Sequence, residues 1–280
     1  MWLCALQLVS GRDWAGNRAR IAELLATLPA ERPLLVLLPE NFALFGERQG
    51  YADGAEALGE GPIQTQLAAW ARHYGIWLVA GAMPTRIEGE ARIHTSSLVF
   101  DPEGRCQGHY HKIHLFDVDV ADGQGRYRES ETFSPGERPV TVPSPFGTLG
   151  LSICYDLRFP ELYRTLVAHG ARVLLVPAAF TRVTGAAHWE ALLRARAIEN
   201  QCWVVAANQG GDHETGRETF GHSMIVDPWG AIVACQRAGA GLVSARFDPE
   251  QAPTLAGRMP VLRHARLMNL NAAHGDGEQD

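Results

Sequence analysis

Three side chains in this sequence are of types that could together attack an amide. Glu40 follows the apolar run Leu-Leu-Val-Leu-Leu-Pro, Lys112 lies in His-Tyr-His-Lys-Ile-His, and Cys154 follows Leu-Gly-Leu-Ser-Ile. A cysteine needs a base to become a thiolate, and a carboxylate serves when burial raises its pKa. Glu40 could be that base. Attack on a carbonyl carbon creates an oxyanion, which needs donors; the Lys112 ammonium and the backbone N–H of Tyr155, just after the cysteine, would supply them. Each residue also has an ordinary reading. A glutamate closing an apolar strand is commonly a solvated loop residue, and a lysine among histidines is commonly surface. A structural cysteine would sit inside the strand, whereas Cys154 lies where the strand gives way to Tyr-Asp-Leu-Arg-Phe-Pro-Glu and a helix. A helix starting near Pro160 could turn its N–H groups and positive end toward the thiol.

Other constellations compete. Ser152 sits in Gly-Leu-Ser-Ile-Cys, which begins like the Gly-x-Ser-x-Gly elbow of serine hydrolases but lacks its final glycine. His109, His111 and His114 around Lys112 suggest a metal site, although no carboxylate ligand stands beside them. A non-enzymatic scaffold that has lost its reaction is the third alternative, and the presence of all three candidate residues counts against it. Arg126, Arg128, Arg158 and Arg182 are candidate carboxylate binders, and Phe180 and His188 are candidate pocket residues.

The elements that would position these groups follow an α/β rhythm. Apolar strand-like runs (LCALQLV, PLLVLLPE, IWLVAGAMP) alternate with helical patterns (NRARIAELLATL, PIQTQLAAWARHYG). After TLGLSIC come a helix PELYRTLVAHG, a strand RVLLVPAAF, a helix AHWEALLRARAIENQ and a strand CWVVAANQ, so successive strand ends face one rim. Two Asp-Pro-X-Gly stretches, at Asp101 and Asp227, predict tight turns between antiparallel neighbours and hence mixed sheets. Trp189, Leu192, Leu193 and Ile198 read as the buried stripe of an amphipathic helix.

The 280 residues show no internal linker, so one domain over residues 1–266 is expected, followed by a polar tail over 267–280 expected to be disordered. With 46% hydrophobic residues and a formal charge of -6, the chain can bury a large core and has no basic patch suited to nucleic acid. The N-terminal run reads as a first strand rather than a signal peptide, and no run is long enough to span a membrane. Five scattered cysteines without a CxxC suit reduced thiols in the cytoplasm better than a disulfide framework or structural zinc.

The ordered set LLPENF, HYHKIHLFDV and LSICYDLRFPELYR, with PAAFTRVTGAAHWEALLRARAIENQCWVVAANQ and GHSMIVDPWG, resembles the nitrilase superfamily of carbon-nitrogen hydrolases from the first strand to about Arg266. The resemblance implies a four-layer α-β-β-α sandwich, a Glu-Lys-Cys triad of Glu40, Lys112 and Cys154, and a second glutamate, Glu129, holding the lysine. It also implies a small-molecule amide substrate, a homodimer, and neither cofactor nor metal. The Gly-Gln-Gly stretch before Arg126 is similar to the amidase branch acting on deaminated glutathione more than to the ω-amidase branch acting on 2-oxoglutaramate. Asn-Gln-Gly-Gly-Asp-His stands where that branch carries Gln-Cys-Gly-x-His, which implies a different pocket lip. Nitrilases proper carry Cys-Trp-Glu where this chain has Cys154, Tyr155 and Asp156.

Overall fold

The computed structural model describes residues 1–266; the expected tail, 267–280, lies outside the described residues. Residues of the first strand, Trp2–Gln7, alternate between two cores, as the period of two requires. Leu3 and Ala5 face a central core shared with the second half of the chain, and Cys4 and Leu6 face an outer one. Trp2–Gln7 pairs in parallel with Leu34–Leu37 and antiparallel with Gly241–Arg246, within a mixed sheet of eight strands. The outer face of that sheet is covered by the helices Trp14–Leu25 and Pro62–Tyr74, through Ile21, Leu25, Ile63, Leu67 and Trp70.

The second sheet has six strands, with Thr148–Leu151, Ala171–Ala178 and Trp203–Asn208 parallel at its centre. Helices Pro160–Ala168 and Arg182–Asn200 cover its outer side through Leu162, Tyr163, Leu166, Trp189, Leu193 and Ala197. The inner faces of the two sheets pack together, so the expected four-layer sandwich with mixed sheets is the fold. Both Asp-Pro-X-Gly stretches join antiparallel strands as expected.

Three expectations need correction. IWLVAGAMP is two strands, Trp77–Val79 and Met83–Arg86, because the chain breaks at Gly81. There φ is +27°, and a Cβ would collide with the carbonyl oxygens of Leu38 and Pro39, so only glycine lets this backbone approach the peptide that carries Glu40. The strand before Cys154 stops at Leu151, and the cysteine instead opens a 3-10 turn, Cys154–Arg158, before the helix from Pro160. Ile198 is 45% exposed; the buried stripe of its helix contains Arg196 in its place.

Candidate active site

Glu40 leaves its strand through Leu38 and Pro39 and is fixed from both sides. Its backbone bridges to Ala82, and its carbonyl accepts from the side-chain amide of Gln209 at 2.9 Å. One carboxylate oxygen accepts from Lys112 Nζ and the other from the Ala179 N–H, both at 2.9 Å. The residue is 5% exposed, which excludes the solvated-loop reading.

Lys112 follows the strand Cys106–His111 and is 2% exposed. Its N–H donates to Thr95 and its carbonyl accepts from Gly136 N–H, and a Cβ at Gly136 would collide with the carbonyl of His111. Nζ lies 2.9 Å from Glu40 Oε1 and from both carboxylate oxygens of Glu129. Burial alone would lower the lysine pKa, but Glu129 and Glu40 overcome it and hold the value well above the usual one. Glu129 opens a short 3-10 turn, Glu129–Glu131, and accepts from the Phe116 N–H at 2.7 Å. Its carboxyl is raised by burial, with Lys112 opposing and Glu40 adding to the shift.

Cys154 adopts φ of +50°, a left-handed conformation costing on the order of 1–3 kcal/mol in a non-glycine residue. Burial pushes its thiol well above the usual range, the Glu40 charge adds to this, and Lys112 opposes it. Burial therefore favours the neutral thiol over a resting thiolate.

The turn carrying Cys154 is tied to the Lys112 segment by Asp156, which is fully buried. Its carboxylate accepts from the Tyr110 hydroxyl at 2.7 Å, the Ile153 N–H at 2.8 Å, the His114 N–H at 3.0 Å, and meets His114 Nδ1 at 2.7 Å. Arg196 fixes the same turn from outside, donating through Nε and Nη2 to the Leu157 carbonyl at 3.2 and 2.7 Å. Neither role was read from sequence. Asp156 was visible there only as a departure from Cys-Trp-Glu, and an arginine on an otherwise apolar helix stripe was the signal for Arg196.

Glu40, Lys112, Glu129, Cys154 and Tyr155 line one cavity of about 620 Å³. Of the other candidates, Arg128, Arg158 and Phe180 also line it. His188 does not; it is exposed, with Nδ1 3.2 Å from Arg158 Nη1. Arg126 pairs with Glu131, and Arg182 with Asp212 and Glu218, away from the cavity wall. Arg217, which no pattern singled out, is in the wall with Thr215 and Gly216. The altered lip expected from Asn-Gln-Gly-Gly-Asp-His is not where that stretch lies. None of residues 208–213 lines the cavity; Gln209 and His213 are buried, and a side chain at Gly210 would meet Gln7.

The competing sites dissolve on the same geometry. Ser152 is buried, bonding the Tyr163 hydroxyl and the Leu175 carbonyl at 2.8 Å each. The His109 and His111 rings lie 5.1 Å apart, but His111 meets the Ser96 hydroxyl and His114 turns away to Asp156, so the three do not share one site. No group of three or more His, Cys, Asp or Glu among the described residues is placed to hold a metal.

The sequence of residues 4–255 matches the model of the carbon-nitrogen hydrolase family. The chain belongs to that family. This hydrolase is 45% identical over 265 residues to the deaminated glutathione amidase of Yersinia enterocolitica, covering 94% of this chain and 92% of that one. Its fold is similar to the crystal structure of the Caenorhabditis elegans NitFhit protein, with a TM-score of 0.87 at 38% identity, over 96% of this chain and 66% of that one. It is also similar to Saccharomyces cerevisiae Nit3, a member of branch 10 of the nitrilase superfamily, with a TM-score of 0.82 at 32% identity, over 93% of this chain and 94% of that one.

Proposed function

We propose that this hydrolase cleaves the amide bond of deaminated glutathione, yielding 2-oxoglutarate and cysteinylglycine through a thioester on Cys154. The observation that carries the mechanism is the buried ammonium of Lys112 held between Glu40 and Glu129 in the cavity that also presents Cys154. The substrate rests on the similarity to the Yersinia amidase and on Gly123 and Gln124 of the Gly-Gln-Gly stretch, which line the same cavity.

Glu40 takes the thiol proton as sulfur bonds to the amide carbon, and the carbonyl electron pair moves onto oxygen. Lys112 and the Tyr155 N–H stabilise that oxyanion, with Glu129 keeping the ammonium in place. Collapse breaks the carbon-nitrogen bond, and Glu40 returns its proton to the leaving amine. Glu40 then deprotonates a water that attacks the thioester. The second collapse expels the thiolate, which takes back the proton, and the acid leaves. The cycle balances without a cofactor.

We assign the enzyme to the cytoplasm, a reading supported by its five free cysteines, two of them exposed. A homodimer is supported by the exposed Trp229, Val233, Ile198 and Met259 on the second sheet's side of the molecule.

The test is a side-by-side measurement of kcat/KM for deaminated glutathione and 2-oxoglutaramate. Deaminated glutathione should be preferred. A tenfold preference for 2-oxoglutaramate, about 1.4 kcal/mol in transition-state stabilisation, would replace this reading with an ω-amidase.

A further inference from the structure

Thr215, Gly216 and Arg217 enter the cavity wall from an excursion between the strands Trp203–Asn208 and Ser223–Val226. The excursion is closed by a bridge between Asp212 and Glu218. Inside it, His213 N–H donates to the Arg217 carbonyl at 2.9 Å and Gly216 N–H to the His213 carbonyl at 2.8 Å. Asp212, Glu214, Gly216 and Glu218 are exposed, whereas His213 is 6% exposed, so the histidine is the side chain that anchors the turn.

The His213 ring is held on three sides. Nδ1 lies 3.0 Å from the Ser10 carbonyl, which can only accept, so Nδ1 carries the proton. Nε2 lies 2.8 Å from the Thr219 hydroxyl and, in the neutral ring, accepts from it. One face stacks on buried Phe45, with centroids 3.7 Å apart and an interplanar angle of 9°. An imidazole so placed covers one face of Phe45, and Arg217 Cζ sits over the same ring at 4.8 Å, so the guanidinium takes the other face. Arg217 Cζ is also 5.3 Å from the centroid of Tyr127, which lines the cavity. His213 thus holds Arg217 twice, through the backbone of the turn and through Phe45.

We propose that His213 is a positioning residue whose neutral ring keeps the Thr215–Arg217 wall in place for substrate binding, and that protonation of the ring releases the wall. The role rests on the amidase reading above and adds an acid-sensitive control of binding to the same site. A proton on Nε2 would turn the acceptor of the Thr219 hydroxyl into a donor, aimed at an oxygen that already receives the Gly211 N–H at 3.1 Å. It would also set a buried cation across Phe45 from the Arg217 guanidinium. Burial lowers the His213 pKa from 6.5 and Arg217 lowers it further, against the Ser10 carbonyl, Asp212 and Glu214. The other charges around the turn are engaged at the surface: Arg182 pairs with Asp212 and Glu218, and Arg12 of the Ser10 segment pairs with Glu47 of the Phe45 segment. The wall is therefore held above the His213 pKa and released as pH falls through it, below 6.5. Glu40 keeps its own ties to Ala82, Lys112 and Ala179, so the release acts on binding rather than on the reacting groups.

The experiment measures kcat and KM for deaminated glutathione from about pH 7.5 to about pH 5, where a histidine titrates, in wild type, His213→Gln and His213→Met. Glutamine can donate to Ser10 and accept from Thr219 but cannot gain a proton; methionine fills the space and makes neither bond. Wild-type KM should rise about tenfold toward acid while that of His213→Gln stays flat. His213→Met should show a KM about tenfold higher at every pH, with kcat within about twofold of wild type in both variants. The same acid rise in His213→Gln, an unchanged KM in His213→Met, or a fall in kcat matching the rise in KM, as a merely structural histidine would give, overturns the proposal. Hydrogen exchange read by mass spectrometry on the peptide of residues 211–219 makes the comparison without substrate: at each pH wild type is set beside His213→Gln, and wild type alone should lose protection toward acid. If wild type does not hydrolyse deaminated glutathione, the amidase reading falls and exchange alone decides the role of His213; equal protection in the two proteins at every pH overturns it.

Discussion

Lys112 sets one ammonium among three carboxylate oxygens, each 2.9 Å away, in surroundings nearly closed to water. Such a group is costly to bury and strongly held once paired, so its position is specified more tightly than that of a surface lysine. Removing it deletes the proposed oxyanion donor and leaves two carboxylates without their shared cation. Lys112→Ala should therefore lose on the order of a hundredfold or more in kcat, measured at saturating substrate. Lys112→Arg should not restore turnover, because a planar guanidinium is larger than an ammonium and aims its donors differently. Near-normal turnover in either variant would refute the role. Glu40 and Cys154 could be read from the sequence because each follows an apolar run, and Lys112 because an oxyanion formed at that cysteine needs a cationic donor. Glu129 was reached through family resemblance alone, since a glutamate among Arg-Tyr-Arg-Glu-Ser-Glu has no distinguishing pattern. Arg217 was missed because its polar turn acquires meaning only where Phe45 and Tyr127 meet it in space.

At the scale of elements, the long helices and central strands were legible because their periodicity spans many residues, whereas the breaks that shape the site were not. Gly81 splits one apparent strand so that the chain can press against the Glu40 peptide, and the positive φ of Cys154 turns a strand end into a 3-10 corner. Both depend on contacts with segments distant in sequence. The strand Cys106–His111, which leads into Lys112, also carries a pH liability. Burial, together with His94 and His109, pulls the His111 pKa down from 6.5 to about 4. Since the unfolded chain then binds the proton first, stability is full above about 6.5 and falls as pH drops through 4. Urea unfolding of His111→Gln should show a shallower loss of stability between pH 6.5 and 4 than wild type. Equal slopes would contradict that origin of the acid sensitivity.

The whole molecule divides its work between two sheets: the first supplies Glu40 and the segment carrying Lys112, the second supplies Cys154, and Asp156 ties the two together across the central core. If the proposed homodimer forms, light scattering with sizing chromatography should give a mass above the 30.6 kDa of one chain, unchanged by reductant. A clean monomer at micromolar concentration would count against the dimer. On the proposed function, the acyl group passes to Cys154 Sγ. Intact-mass analysis of the chain quenched during turnover of deaminated glutathione, followed by peptide mapping, tests it most directly. A 2-oxoglutaryl group should replace the thiol hydrogen on the Cys154 peptide and be absent from Cys154→Ser; the same adduct on the Cys106 or Cys202 peptide would overturn the assignment.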